Sequence, residues 1–301
     1  VIFLGTAGSL PTPERSPSAV LVNREGDLLL FDCGEGTQRQ MMRSKTGMMR
    51  LSHIFLTHLH ADHILGIPGL LETMAFQGRT APITIAGPVR TAGLMRTFAT
   101  LGCCSRSFDV SALELEPGDK IRMNGFDIIA LKTRHSVPSL GYCLKEDERP
   151  GRFNRERAIE LGVPVGPCFG RLQKGNSISL NGITIHPFEV MGSPRPGRKI
   201  VYSGDTRPCP EVEAASKDAD LLIHDCAMAD DLLSWAEQTL HSTAGEAAAL
   251  AARAGARKLA LTHISSRYSE DVRPLLADAK KHLDDVTVAE DLMKIDIPLR
   301  E

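Results

Sequence analysis

The sequence predicts an α/β protein whose helices cover stacked sheets, with two similar halves packed face to face. Three observations carry this reading. Short apolar runs alternate with helix-patterned segments in both halves, polar loops follow the strand ends, and no repeat array or low-complexity tract interrupts the alternation.

The chain opens with three strands. Val1-Ile2-Phe3-Leu4 stops at Gly5, Ala19-Val20-Leu21-Val22 ends near Gly26, and Leu28-Leu29-Leu30-Phe31 ends at Asp32. The third does not alternate, so it is read as buried on both faces. Helical patterning over 37–43 is followed by a strand, Ile54-Phe55-Leu56, that runs straight into a histidine-rich loop. A helix over 67–75, a strand at 83–85 and a helix over 91–99 continue the alternation, and strands return over 110–145, 178–190 and 199–203. The stretch 149–175 is different: it is rich in Gly, Pro and Arg without a sustained apolar period, and reads as an Ω-like insertion or projecting arm in one domain spanning 1–301. The last third supplies a strand at 221–223, a helix from Thr243, a strand at 259–261 and a helix over 271–282. Helix 243–254 is the best marked, because Thr243 and Glu246 form a capping-box pattern and Gly255 suits the position just past its end.

Composition narrows the function classes. With 42% hydrophobic and 24% charged residues, the chain is neither disordered nor collagen-like. No run of 18 apolar residues exists, so no transmembrane helix is expected. Lys and Arg number 35 against 37 Asp and Glu, a net charge of −2, which argues against coating nucleic acid by charge alone but permits a local basic patch. Cys33, Cys103, Cys104, Cys143, Cys168, Cys209 and Cys226 are an odd, scattered set with no C-x-x-C pair, pointing to a reducing cytosol and a cytoplasmic protein. The chain starts at Val1 inside a strand, so an initiator residue or removed leader is compatible with it.

The strongest chemical signal is Thr57-His58-Leu59-His60-Ala61-Asp62-His63. Three imidazoles and a carboxylate follow a rigid strand. His58 and His60, two apart, can point to one side and chelate one ion, and Asp62 and His63, past the bend, can face a second. Zn²⁺ suits this mixed nitrogen and oxygen set, although manganese or iron could occupy it. Further ligand types end later strands: His135, Asp205 in Ser203-Gly204-Asp205-Thr206, and His263. A carboxylate such as Asp205 has two oxygens and can bridge two cations.

This ordered set resembles the metallo-β-lactamase superfamily, and further motifs resemble its RNase Z branch in the short form. They are Phe3-Leu4-Gly5-Thr6, Phe31-Asp32-Cys33-Gly34-Glu35-Gly36-Thr37-Gln38, Pro68-Gly69-Leu70-Leu71, Ser203-Gly204-Asp205-Thr206-Arg207-Pro208, His241-Ser242-Thr243 and His263-Ile264-Ser265-Ser266-Arg267-Tyr268. The resemblance spans essentially the whole chain. It implies an αβ/βα sandwich of two stacked mixed sheets with helices outside, and a zinc-dependent endoribonuclease that removes 3′ trailers from precursor tRNA. The products would be a tRNA 3′-hydroxyl and a trailer 5′-phosphate. It also implies two zinc ions per subunit, one on His58, His60 and His135, the other on Asp62, His63 and His263, with Asp205 bridging. Two cations about 3.5–4 Å apart can acidify a water and polarise a phosphodiester. Asp62 would also act as general base, and His241 would assist the leaving 3′-oxygen.

His241 stands just before the N-terminus of helix 243–254, which favours phosphate but disfavours imidazolium, so a phosphate or carboxylate must restore its proton. Asp32 is expected to brace the metal loop through backbone N–H groups, with Gly34 and Gly36 allowing the tight turn. His53, His186, His224 and His282 read as structural. Two places depart from the family pattern: His224-Asp225-Cys226-Ala227-Met228 stands where His-Glu-Ala-Thr-Phe is usual, and Pro13 and Ser16 replace a Lys and an Asn in Pro11-Thr12-Pro13-Glu14-Arg15-Ser16.

The RNA side follows from charge placement. Residues 149–174 hold six basic residues, including Arg152, Arg155, Arg171 and Lys174, against Glu156 and Glu160, a local balance of +4. The resemblance makes this segment a flexible exosite that clasps the tRNA elbow through phosphate and shape, and makes the protein a homodimer in which each arm serves the partner's active site. Near the metals, Arg207 and Arg267 are expected to clamp phosphate, Arg15 to meet the tRNA 3′ end, and Tyr268 to stack on a base or pack. Two rivals remain: a zinc phosphodiesterase of the same fold acting on small phosphodiesters, and an RNA-binding protein that has lost catalysis.

Overall fold

The computed structural model describes residues 1–101 and 107–300, so Cys103 and Cys104 lie outside the described residues. The chain divides into two compact units, Val1–Leu144 with Lys199–Ile297, and Lys145–Arg198 with the C-terminal residues from Pro298. The first unit opens with β1 (Ile2–Gly5), β2 (Ala19–Arg24), β3 (Asp27–Phe31), α1 (Thr37–Ser44) and β4 (Leu51–Phe55). Then come α2 (Ala61–Ile64), α3 (Gly66–Phe76), β5 (Ile83–Gly87), α4 (Thr91–Ala99) and β6 (Val110–Glu114). Next are β7 (Lys120–Met123), β8 (Phe126–Lys132) and β9 (Leu140–Glu146). The second unit carries α5 (Arg155–Glu160), α6 (Pro167–Gln173), β10 (Ile178–Leu180) and β11 (Ile183–Ile185). The first unit resumes with β12 (Lys199–Tyr202), α7 (Pro210–Ala215), β13 (Leu221–Asp225), α8 (Leu233–Thr239) and α9 (Ala244–Ala254). It ends with β14 (Leu259–Thr262), α10 (Arg273–Ala279) and β15 (Val286–Val288).

Two mixed sheets result, one ordered β1-β2-β3-β4-β5-β6 and the other β15-β14-β13-β12-β9-β8-β7. The first is antiparallel from β1 to β3 and parallel from β3 to β6, and the second is parallel from β12 to β15. β3 shows why the non-alternating runs belong here. Leu28 and Leu30 join the outer cluster with Met41, Ile67, Leu70 and Met74 of α1 and α3, while Leu29 and Phe31 join Phe55, Tyr142, Tyr202 and Ile223 between the sheets. Period-2 geometry sends successive side chains to opposite faces, and both faces are covered. Each such Leu or Phe contributes about 1.5–3 kcal/mol. The alanine-rich α9 covers the second sheet, where small side chains bring helix and strand close.

α2, α7, α8 and β15, all short, are not announced by the apolar patterning. Strands are expected throughout 178–190, whereas Pro187–Glu189 forms a 3₁₀ turn. The stretch 149–175 is not structureless: α5 and α6 lie in the second unit, which has its own cluster of Ala158, Val163, Leu172, Ile178, Ile185 and Val190. That unit is bounded by an antiparallel bridge between Arg149 and Arg195, with N···O distances of 2.7 and 2.8 Å.

Candidate metal centre and its surroundings

The parallel strands deliver their carboxyl ends to common edges, where ligands gather in open α/β sheets. Asp32 follows β3, His58 and His60 follow β4, His135 follows β8, Asp205 follows β12, Asp225 ends β13 and His263 follows β14. The unexpected one-turn helix α2 places Asp62 and His63 beside them.

The seven expected ligands converge. His58 Nε2 lies 3.0 Å from His60 Nδ1, which lies 3.4 Å from His135 Nε2. On the other side, Asp62 Oδ2 is 3.3 Å from His63 Nε2 and 3.5 Å from His263 Nε2. Asp205 Oδ2 joins the two groups, at 3.7 Å from His58, 3.4 Å from His63 and 3.1 Å from His263. Three of the resulting triads have ligand atoms within 4.8 Å of one another: His58-His60-His135, His58-His63-Asp205 and Asp62-His63-His263.

The imidazoles are aimed by their second nitrogens. His63 Nδ1 donates to Asp32 Oδ2 at 2.9 Å, His58 Nδ1 meets Thr57 Oγ1 at 3.0 Å, and His135 Nδ1 meets the Leu240 carbonyl at 3.3 Å. Asp32 is a hub rather than a backbone brace. It accepts one backbone bond, from Thr57 N at 2.8 Å, and otherwise the Thr57 and Tyr202 hydroxyls and His63. Gly36 takes the left-handed turn at φ 79, as expected, but Gly34 serves close approach: a Cβ there would lie 2.5 Å from the Asp62 carbonyl.

The electrostatics fit a divalent cation. His63 Nε2 and both His263 nitrogens are buried without hydrogen-bond partners, although carboxylate oxygens stand 3.1–3.6 Å away. Burial opposes the imidazolium at His63, but Asp205 and Asp32 outweigh it and hold its pKa well above the usual value. Burial likewise opposes His263, yet Asp205, Asp225 and Asp62 raise it to about 10. Despite burial, the imidazoles of His263 and His63 keep the Asp62 and Asp205 carboxyls far below the usual carboxylate range. His58 and His135 go the other way, because burial dominates and neighbouring histidines add to it. Excess carboxylate facing unsatisfied buried nitrogens is a cation site in chemical terms.

His241 stands at the edge of the cluster, its ring centroid 5.2 Å from that of His135 and 5.0 Å from that of His263. Asp225, the shorter carboxylate of the departing motif, reaches it: His241 Nδ1 donates to Asp225 Oδ2 at 3.0 Å. That charge raises the His241 pKa against the burial that opposes it, offsetting the helix N-terminus. The His241 carbonyl accepts from Arg207 Nη1 at 2.6 Å, and the same guanidinium holds Glu246 of the capping box.

Residues 175–264 match a family profile described as beta-lactamase superfamily domain, and residues 1–148 one described as anti-Pycsar protein Apyc1. Ribonuclease Z of Methanosarcina acetivorans is 60% identical over 300 residues, covering 100% of this chain and 98% of its own length. The chain belongs to the ribonuclease Z family. Ribonuclease Z of Archaeoglobus fulgidus is 45% identical over 302 residues, covering 100% of this chain and 98% of its own. Human tRNase Z, short form, superposes with a TM-score of 0.70 at 29% identity, covering 99% of this chain and 98% of the human one. The fold is that of the metallo-β-lactamases.

For a ribonuclease Z, the residues expected at RNA fall in unequal places. Arg152, Arg155, Arg171 and Lys174 are exposed on the second unit. Three others, Arg15, Arg207 and Tyr268, are turned inward. Arg15 is 4% exposed, and its Nη1 donates to Thr6 Oγ1 at 2.7 Å and the Ala289 carbonyl at 2.6 Å. Arg207 is 8% exposed and committed to Glu246 and His241. Tyr268 packs, its hydroxyl accepting from Ala229 N at 3.1 Å. Arg267 instead lies over the Trp235 ring, 4.1 Å from its centroid. Trp235 carries no motif, and its one signal in the sequence is being the chain's sole tryptophan.

Proposed function

We propose that this chain is a metal-dependent endoribonuclease that processes tRNA, removing the 3′ trailer to leave a tRNA 3′-hydroxyl and a trailer 5′-phosphate. The observation that carries it is the convergence of both triads on Asp205, with His241 and Asp225 at the edge. His58, His60 and His135 would hold one zinc ion and Asp62, His63 and His263 a second, with Asp205 shared. When bound, the pair supplies Lewis acidity and an acidified water.

The chain's own groups do the rest. Asp62, whose carboxylate has two oxygens, would take the water proton. His241, charged and oriented through Asp225, delivers a proton to the departing 3′-oxygen. Arg267, backed by the Trp235 ring, offers phosphate its outer edge, and Arg152, Arg155, Arg171 and Lys174 meet the tRNA backbone. Arg15 acts indirectly, its guanidinium anchoring the loop that carries Thr12 and Ser16 to Thr6 and the Ala289 carbonyl. A homodimer and a cytoplasmic location complete the reading. The family likeness supports the first, and the free thiols of Cys33, Cys143, Cys168, Cys209 and Cys226 support the second.

The test is direct. Purified protein is incubated with a precursor tRNA carrying a 3′ trailer, with and without chelator, and the product ends are mapped. Cleavage at the trailer junction that chelator abolishes and zinc restores is expected; uncut substrate with zinc present would refute the proposal.

A further inference from the structure

A groove of about 690 Å³ opens beside the metal cluster, with Leu59 and His60 in its lining. Residues of α4 and the turn before it form one wall, and Val137 and Pro138 belong to the other. His60 joins the groove to the chemistry, since its Nδ1 lies 3.0 Å from His58 Nε2. None of His241, Asp225 or Arg207 lines it.

Two features give the groove a ligand. Arg90 and Arg96 line it together, six positions apart at the start and on the second turn of α4, so about 9 Å apart along the axis. Among the described residues neither guanidinium has an ion pair or hydrogen bond. Arg122, Arg157, Arg253 and Arg273, also exposed, are each paired with a carboxylate. Glu114, the acid in the lining, is already engaged, its Oε1 accepting from Ala92 N at 3.0 Å. Arg90 is moreover held at φ 81, a conformation that favours glycine, so a charged residue occupies a strained position in the groove's lining.

We propose that this groove binds the first nucleotides of the RNA downstream of the scissile phosphate, with Arg90 and Arg96 on successive phosphates and the aliphatic side chains of Val89, Val137 and Pro138 against sugar and base. The assignment rests on the nuclease reading above and adds the path of the trailer. His241 serves the oxygen that leaves with the tRNA, and it sits across His135 from His60. The strand carrying the new 5′-phosphate therefore departs past His60. The lining has guanidinium and aliphatic groups but no Phe, Tyr or Trp, and its one ring, that of His60, belongs to the metal cluster, so it holds backbone without a stacking platform. The groove should accordingly favour length over sequence in the trailer.

A 5′-phosphorylated four-nucleotide RNA, labelled at its 3′ end, is titrated in fluorescence anisotropy against wild type, Arg90→Ala/Arg96→Ala, and the charge-matched control Arg253→Ala/Arg273→Ala. Loss of two charge-assisted contacts should weaken binding to the groove variant by about tenfold or more, and leave the control within about twofold. In cleavage, kcat/KM for a precursor with a four-nucleotide trailer should fall about tenfold in the groove variant, while a one-nucleotide trailer is little affected. Equal binding by wild type and groove variant, no binding by wild type, or equal losses for long and short trailers would each overturn the groove assignment. If no precursor is cut but oligonucleotide binding still depends on the two arginines, the nuclease reading falls and the groove stands as a site for single-stranded RNA. Should the double variant fail to fold, Arg96→Glu on the regular helix must lose oligonucleotide binding alone.

Discussion

Arg207 braces His241 in the structure. Its guanidinium ties the His241 carbonyl to Glu246, while Asp225 fixes the imidazole from the other side. If it positions a proton donor, its loss must depend on the leaving group. Arg207→Ala is expected to lower kcat/KM for precursor tRNA by about 10–100-fold, a part of what a general acid contributes. Bis(p-nitrophenyl) phosphate, whose leaving group needs no proton, should change less than about threefold, with metal content intact. Arg207→Lys, lacking the planar fork, should fall between. Equal losses on both substrates would mark Arg207 as merely structural. The same scale fixes the response to pH. With both pKa values raised, His63 and His263 carry protons near neutrality in the metal-free protein. Metal loading must displace them, so apparent affinity rises with pH. Calorimetric titration of the metal-free protein in buffers of different ionisation enthalpy should report release of at least one proton per chain; buffer-independent heats would refute it. The His-x-His-x-Asp-His run was legible because ligand chemistry limits what such spacing can mean. Whether a given arginine faces RNA or the interior was not, because Arg15 and Arg207 are turned inward by partners far away in sequence, such as Ala289 and Glu246.

Elements were legible where local signals agree and obscure where tertiary contacts decide. Helix α9 carries its stop and start in sequence: Thr243 Oγ1 accepts from Glu246 N, Glu246 reaches back to Thr243 N, and Gly255 closes the end at φ 66. The one-turn α2 has no side-chain cap and too few residues for a period, so nothing local announces it. It is held from outside, as Cys33 N donates to the His63 carbonyl at 2.8 Å and Gly66 N to the Cys33 carbonyl at 2.9 Å. That packing leaves no room at the junction of α2 and α3, where a Cβ on Gly66 would lie 2.0 Å from the Gly34 carbonyl oxygen. Gly66→Ala must push backbone against backbone. It is expected to cost about 1–3 kcal/mol in thermal or denaturant unfolding and, by shifting Asp62 and His63, to lower metal affinity as well. Gly36→Ala meets no atom within 4 Å and should cost only the left-handed strain, about 1 kcal/mol, with metal affinity unchanged. Equal metal loss in both variants would show that the helix junction does not set the site.

Charge is divided unevenly over the whole molecule. Six basic and two acidic residues at 149–174 leave 29 basic against 35 acidic residues in the remainder, so a chain of net charge −2 combines an acidic majority with one basic segment. An acidic majority repels nucleic acid at large, and a concentrated basic segment retains one folded RNA. The compact second unit sets how this is tested. Removing 152–172 would strip Ala158, Val163 and Leu172 from its cluster and expose Ile178, Ile185 and Val190. Replacing 151–194 with a short glycine linker removes the cluster entire and closes where Arg149 and Arg195 are already bridged. With zinc present, this variant should turn over bis(p-nitrophenyl) phosphate like wild type while kcat/KM for precursor tRNA falls at least about 100-fold. Loss of Arg152, Arg155, Arg171 and Lys174 should also flatten the dependence of log KM for precursor on log salt by about 3, close to one counterion per phosphate contact. A parallel fall in both activities would mean that the unit supports the fold rather than the RNA. Unchanged precursor cleavage would return the chain to its rival reading, a phosphodiesterase for small substrates.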